Sequence, residues 1–178
     1  MDDIAHYQAC ETLKDGSKLL IRAVLPEDKA GMQEAAHHLS DRSSYLRFFR
    51  VKHDLTPQEL KFFTEVDFVD HVGLTGVICE GEDQGEVVAA SRYVVCQREP
   101  KVIAELAFAV DDPHQGLGIG KLMLKHLVAI ARQADIDEFE VSVLAENRKM
   151  LRVLTGFGLP YTQSRDRGVV ELRLSLRD

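Results

Sequence analysis

Val110-Asp111-Asp112-Pro113-His114-Gln115-Gly116-Leu117-Gly118-Ile119-Gly120 is the stretch on which the reading of the fold turns. An apolar run ends at Val110, a proline-containing turn follows, and a glycine-punctuated segment leads into an apolar periodic one. The first backbone N–H groups of a helix have no partner inside it and bind anions. Glycines there let a phosphate approach the main chain. The stretch therefore marks a place where a pyrophosphate can sit, although close helix packing alone would also call for small residues. Two familiar phosphate loops are excluded. No Gly-Lys-Ser/Thr follows, so the Walker pattern is absent. The spacing is Gly-x-Gly-x-Gly, and three antiparallel strands come first where the strand of a βαβ unit would lead the chain, so the dinucleotide fingerprint is absent too.

Working outward, Val72 to Cys79, Glu86 to Val95 and Val102 to Val110 are rich in Val, Ile, Ala and Phe and are separated by Gly-Glu-Asp and Arg-Glu-Pro turns. They predict three antiparallel strands. Downstream, Gly116 to Ala134 predicts a helix whose apolar side carries Leu117, Leu122, Leu124, Leu127, Val128, Ile130 and Ala131. Phe139 to Leu144 predicts a buried strand, Asn147 to Thr155 a short helix stopped by Gly156 and Gly158, and Val169 to Leu176 a final strand. Toward the N-terminus, Asp15-Gly16 predicts a tight hairpin turn inside Leu13 to Ile21. Pro26-Glu27-Asp28 opens a helix to about Leu39, and a second helix follows Ser40-Asp41. Thr56-Pro57-Gln58-Glu59 is a capping box with proline at the first helical position. The class is α/β with a mixed sheet.

With 178 residues the chain is expected to form one domain over 1–178. A hydrophobic fraction of 45% and a charged fraction of 29% are those of a globular protein that needs no disulfide or metal staple. No apolar run reaches the ~18 residues of a membrane span, and Met1-Asp2-Asp3-Ile4 does not open a signal peptide. Cys10, Cys79 and Cys96 are odd in number, far apart and set in apolar stretches. They read as buried reduced thiols of a cytoplasmic protein, without metal-ligand spacing. A net charge of -7 argues against a generic nucleic-acid binder. Lys121, Lys125, Arg132, Arg148, Lys149 and Arg152 nevertheless crowd one stretch. They are either solvated helix faces or a local site for an anionic ligand.

Gln115-Gly116-Leu117-Gly118-Ile119-Gly120 matches the Gln/Arg-x-x-Gly-x-Gly/Ala signature of the GNAT superfamily of N-acetyltransferases, and the order of elements along most of the chain resembles that family. Finer segments, Ser44 to Phe49, Ala104 to Phe108 and Leu144 to Arg148, are similar to the acetyltransferase domain of bacterial protein lysine acetyltransferases. The resemblance implies a GNAT fold, a mostly antiparallel twisted sheet flanked by helices, with acyl-CoA bound where the central strands splay. It implies acetyl-CoA as cosubstrate and no metal. The edge at Phe108, Ala109 and Val110 would hold the pantetheine arm, and the backbone of Gln115, Gly116, Leu117, Gly118, Ile119, Gly120 and Lys121 the pyrophosphate. Asn147 would reach the pantetheine, and the Lys121 and Lys149 side chains would be either further phosphate contacts or solvated. The implied acceptor is a lysine of another protein, acyl-CoA synthetases among the candidates. A small amine, or an acyl-CoA sensor without catalysis, are the competing readings. The family's larger members carry a regulatory or synthetase-like domain, and none is expected within these 178 residues.

Acyl transfer to nitrogen needs a neutral amine, and a lysine amine with a pKa of ~10.4 is protonated near neutrality. A strand-borne carboxylate can take that proton. Glu105, flanked by Ala104 and Leu106 in an otherwise apolar strand, is expected to be a buried general base, as its counterpart in the resembling family is proposed to be. The other reading places it on the exposed face of an alternating strand. Many family members carry a tyrosine acid on the short helix after the asparagine. Leu154 stands there, so no fixed acid is assigned, and Tyr161 is the nearest tyrosine. Arg47 and Arg50 flank Phe48 and Phe49, either in solvent or along the acceptor cleft. Asp111 and Asp112 are expected to cap the turn and His114 to belong to it.

Overall fold

The computed structural model describes residues 3–177. An eight-stranded sheet runs in the order β1-β2-β3-β4-β5-β6-β8-β7. Its strands are β1 (Gln8–Thr12), β2 (Lys18–Ala23), β3 (His71–Ile78), β4 (Val87–Gln97), β5 (Ile103–Val110), β6 (Glu138–Leu144), β7 (Tyr161–Asp166) and β8 (Val169–Ser175). The helices are α1 (Lys29–His37), α2 (Asp41–Phe48), α3 (Pro57–Thr64), α4 (Ile119–Gln133) and α5 (Arg148–Thr155). Every neighbouring pair of strands is antiparallel except β5 and β6. That parallel contact covers only Ile103 opposite Glu138, Ala104 opposite Phe139 and Glu105 opposite Glu140. Beyond Glu105 the two strands part, and the rest of β5 pairs with β4 alone. The mixed, mostly antiparallel sheet expected from the sequence is present, and so is its splay.

The two sheet faces are set by strand alternation. Ala104, Leu106 and Phe108 of β5 belong to the core cluster with Met123, Leu124, Leu127 and Ala131 of α4. Those α4 positions recur every three or four residues, so one stripe is buried while Lys121, Lys125 and Ala129 face out. Each fully buried Leu or Met stabilises the fold by about 1.5–3 kcal/mol. On the other face lie α1, α2 and α3. The capping box of α3 is formed as expected: Thr56 Oγ1 accepts from Glu59 N at 3.2 Å, and Glu59 Oε2 accepts from Thr56 N at 2.8 Å.

Several expectations are corrected. The hairpin turn spans 13–17, with Gly16 at φ +88. Asp15 lies outside the left-handed region and instead accepts the Ser17 N–H at 3.0 Å. The signature helix begins at Ile119 and not at Gly116, because Gly116 and Gly118 sit at φ +83 and +89, outside helical geometry. Strand β7 went unread, since all its side chains are exposed and it has no apolar alternation. Cys10 and Cys96 are exposed and Cys79 is half-buried, because β1 is an outer strand and Cys96 sits near the end of β4. Asp112 caps a different element from its own turn, as follows below.

Candidate acyl-CoA and acceptor site

The splay leaves Phe108, Ala109 and Val110 on a strand whose β6 side has no partner strand in register. At its end a short 3-10 turn, Asp112–His114, leads to Gln115 and the glycines. The α4 start has no side-chain cap and no acidic residue in its first turn, so the amides after Gly118 are open to an anion. A Cβ on Gly116 would meet nothing within 4 Å, and one on Gly118 would meet only the flexible Lys14 side chain at 3.4 Å. The positive φ, not crowding inside the chain, is what calls for glycine at both positions. Gly120 has a different reason, since its Cβ would meet the Phe108 ring at 3.4 Å. Leu117 accepts a hydrogen bond from Lys14 N at 3.3 Å, which leans the β1–β2 turn on the loop. Lys121 and Lys149 are exposed.

The loop is tied to the opposite face. Asp112 Oδ1 accepts from Ser40 N at 3.1 Å and its Oδ2 from Ser43 Oγ at 3.2 Å. It thereby supplements the N-cap of α2, where Ser40 Oγ already accepts from Ser43 N. Gln115 Nε2 donates to Val110 O at 3.1 Å and to Ser43 Oγ at 3.4 Å. The Gln115 side chain thus holds the turn closed. Asp111 is buried, and His114 Nδ1 lies 2.8 Å from its Oδ1, as expected of a histidine that belongs to the turn. Burial pushes the Asp111 carboxyl up, against the lowering effect of His114. Asn147 is the N-cap of α5, its Oδ1 accepting from Met150 N at 3.2 Å. Leu154 is fully buried, and Tyr161 is 45% exposed at the start of β7.

Glu105 is exposed, contrary to the expected burial. Its sequence neighbours Ala104 and Leu106 are buried because adjacent strand residues point to opposite faces. In register, Glu105 lies opposite Val94, and Ala107 opposite Arg92, on the face that carries α1 to α3. Here a cleft is lined by Arg47, Phe48, Phe63, Ala90, Arg92 and Ala109. Arg92 stacks over Phe63, 4.4 Å from guanidinium carbon to ring centroid, and also over Phe62 at 5.3 Å. Arg47 sits 5.0 Å over Phe48. Burial lowers both guanidinium pKa values; for Arg92, burial and then the nearby Arg47 charge bring it to about 9, with Glu105 opposing in both cases. Arg47 was among the residues that could line this cleft. Arg92 was missed, although it is the single charge within Val87 to Val95. Arg50 is exposed and does not line the cleft.

A sheet that splays beside a glycine-led, uncapped helix start is the architecture of one class of group-transfer protein, and the chain belongs to the acetyltransferase (GNAT) family, whose model matches residues 35–159. Among its relatives, Acetyltransferase Pat of Mycolicibacterium smegmatis is 31% identical over 89% of this chain and 46% of that protein. Acetyltransferase PA5475 of Pseudomonas aeruginosa is 27% identical over 83% of this chain and 78% of that one. The crystal structure of the GNAT domain of S. lividans PAT superposes with a TM-score of 0.85 at 35% identity, covering 94% of this chain and 96% of that one. The chain thus spans about half the length of the Mycolicibacterium relative, at 46%. Among the described residues, no cluster of His, Cys, Asp and Glu could hold a metal, and no helix is long and apolar enough to cross a membrane.

Proposed function

We propose that the protein transfers an acetyl group from acetyl-CoA directly to the side-chain amine of a protein lysine, with acyl-CoA synthetases as the first acceptors to test. The observation that carries this reading is a convergence along β5: Glu105 at the apex of the splay, a free strand edge beyond it, and an uncapped helix start at its end. Pantetheine would lie along Phe108, Ala109 and Val110, and the pyrophosphate on the amides of Gln115 to Lys121. The amine nitrogen attacks the thioester carbonyl, the C–N bond forms and the C–S bond breaks. Glu105 takes the first ammonium proton before attack, directly or through water, the second leaves the nitrogen to water as the tetrahedral adduct collapses, and the CoA thiolate takes a proton from solvent. Glu105 is exposed and within reach of water, and most of the rate must come from positioning the two reactants. Similarity to Pat proteins at 31% and 35% identity supports a protein lysine as acceptor.

The test is a cell lysate incubated with the protein and isotope-labelled acetyl-CoA, read by mass spectrometry. Labelled protein lysines, absent with a Glu105→Gln variant, are the expected result. Label confined to small amines would overturn the protein acceptor. Tight calorimetric binding of acetyl-CoA without any labelled product would overturn catalysis and leave a sensor.

A further inference from the structure

Arg47 and Arg92 come from different elements, α2 and β4, yet line the same cleft. Both are half-buried. Among the described residues neither guanidinium forms an ion pair or a hydrogen bond, and both lie over the faces of Phe48, Phe62 and Phe63. Half-buried cations without a partner are costly, and a guanidinium offers a planar fork of donors that matches a carboxylate. Glu105 is close enough to act on both electrostatically without pairing with either. Asp111 also lines the cleft, but its carboxyl is held 2.8 Å from His114 Nδ1, so neither nearby carboxylate occupies the guanidinium forks. Arg92 is opposite Ala107, within the part of β5 that has left β6. The unoccupied guanidinium forks therefore lie beside the segment where the acyl group and the amine would meet.

From this we propose that Arg47 and Arg92 form a carboxylate-binding site in the reaction cleft, filled by a carboxylate that one of the two reactants carries. This deepens the acyl-transfer reading and rests on it. The carboxylate is either the far end of a dicarboxylic acyl chain on CoA or a group on the acceptor close to its amine. Fork-to-fork pairing with both guanidiniums would hold that reactant by charge-assisted hydrogen bonds.

Two arms separate the sources. Calorimetry compares succinyl-CoA with butyryl-CoA, and kcat/KM for acetyl transfer compares a lysine peptide that has Glu beside the lysine with the same peptide carrying Gln there. The expected result is an advantage of about tenfold or more for the carboxylate in one arm, the scale of a hydrogen-bonded charge. Arg92→Gln and Arg47→Gln should each erase most of it, and Arg92→Lys should restore part. An advantage in neither arm, or one that survives in both Gln variants, overturns the proposal. The wild-type comparison stands by itself if a variant fails to fold. Acetyl-CoA, titrated alongside, keeps the two readings apart: bound acetyl-CoA with no carboxylate advantage sinks only this inference, while no binding of any acyl-CoA sinks both.

Discussion

Replacing Gly118 by Ala tests the cofactor loop with little disturbance inside the chain. At φ +89 an L-residue costs about 1–2 kcal/mol of backbone strain. The added Cβ would meet only the Lys14 side chain at 3.4 Å, an ordinary contact with a flexible group. Gly81, in the turn between β3 and β4, has φ +91 and nothing within 4 Å of its Cβ position, so Gly81→Ala carries the same strain without further contact. Both variants should therefore lose similar stability, with Tm falling about 2–4 °C per kcal/mol for a chain of this size. They should differ in binding. A methyl group at 118 stands where a phosphate would approach the α4 amides, and losing one charge-assisted hydrogen bond costs about 1.5–3 kcal/mol. Calorimetry with acetyl-CoA should show Kd raised about tenfold to a hundredfold in Gly118→Ala and unchanged in Gly81→Ala. Equal Kd values in both variants, with equal losses of Tm, would take the glycine loop out of the site.

Glu105→Gln keeps the shape and removes the base, so acetyl-CoA affinity should hold while turnover falls about 10²–10⁴-fold; near-normal turnover across pH would assign the proton to another group or to water. With Leu154 unable to titrate, kcat/KM should rise with one apparent pKa and stay level into moderately alkaline pH, and Tyr161→Phe should keep nearly full kcat. A falling alkaline limb that disappears in Tyr161→Phe along with most of the activity would make Tyr161 the acid. Burial, aided by the Arg92 charge, lowers the His71 pKa to about 4 from an ordinary 6.5. Above pH 6.5 the ring is neutral in both folded and unfolded chains; between 6.5 and 4 only the unfolded chain takes the proton, so stability falls with pH by up to about 1.4 kcal/mol per unit. Chemical denaturation of wild type and His71→Phe between pH 7 and 4 should give a shallower loss in the variant, and parallel curves would show that His71 carries no such linkage.

Features with a local cause were legible in the sequence. Pro57 and Glu59 announced a helix start, Asp15-Gly16 a reversal, and the glycines after Gln115 a helix whose first amides are open. Features settled by tertiary placement were not. Glu105 looked buried because its chain neighbours are apolar, but on a strand those neighbours point the other way. Arg92 shares that exposed-side register, and only its pairing with Ala107 reveals its place in the cleft. Asp112 reads as a turn residue until α2 is seen to come down on it. Strand β7 has no apolar face because neither of its faces is covered: every side chain is exposed and only β8 pairs with it, so nothing in its composition distinguishes it from a loop.

The brevity of the β5–β6 contact has a mechanical consequence. The sheet consists of two blocks, β1 to β5 and β6-β8-β7, stitched by a seam at Ile103, Ala104 and Glu105. Few backbone hydrogen bonds cross this seam, and amide exchange would locate its opening on the flanking segments of β5 and β6. A long ligand laid in the gap would act as a splint. It would rivet the blocks together along a line that the polypeptide itself leaves unzipped, and without that ligand amides along this line should exchange faster than those of the long β4–β5 ladder.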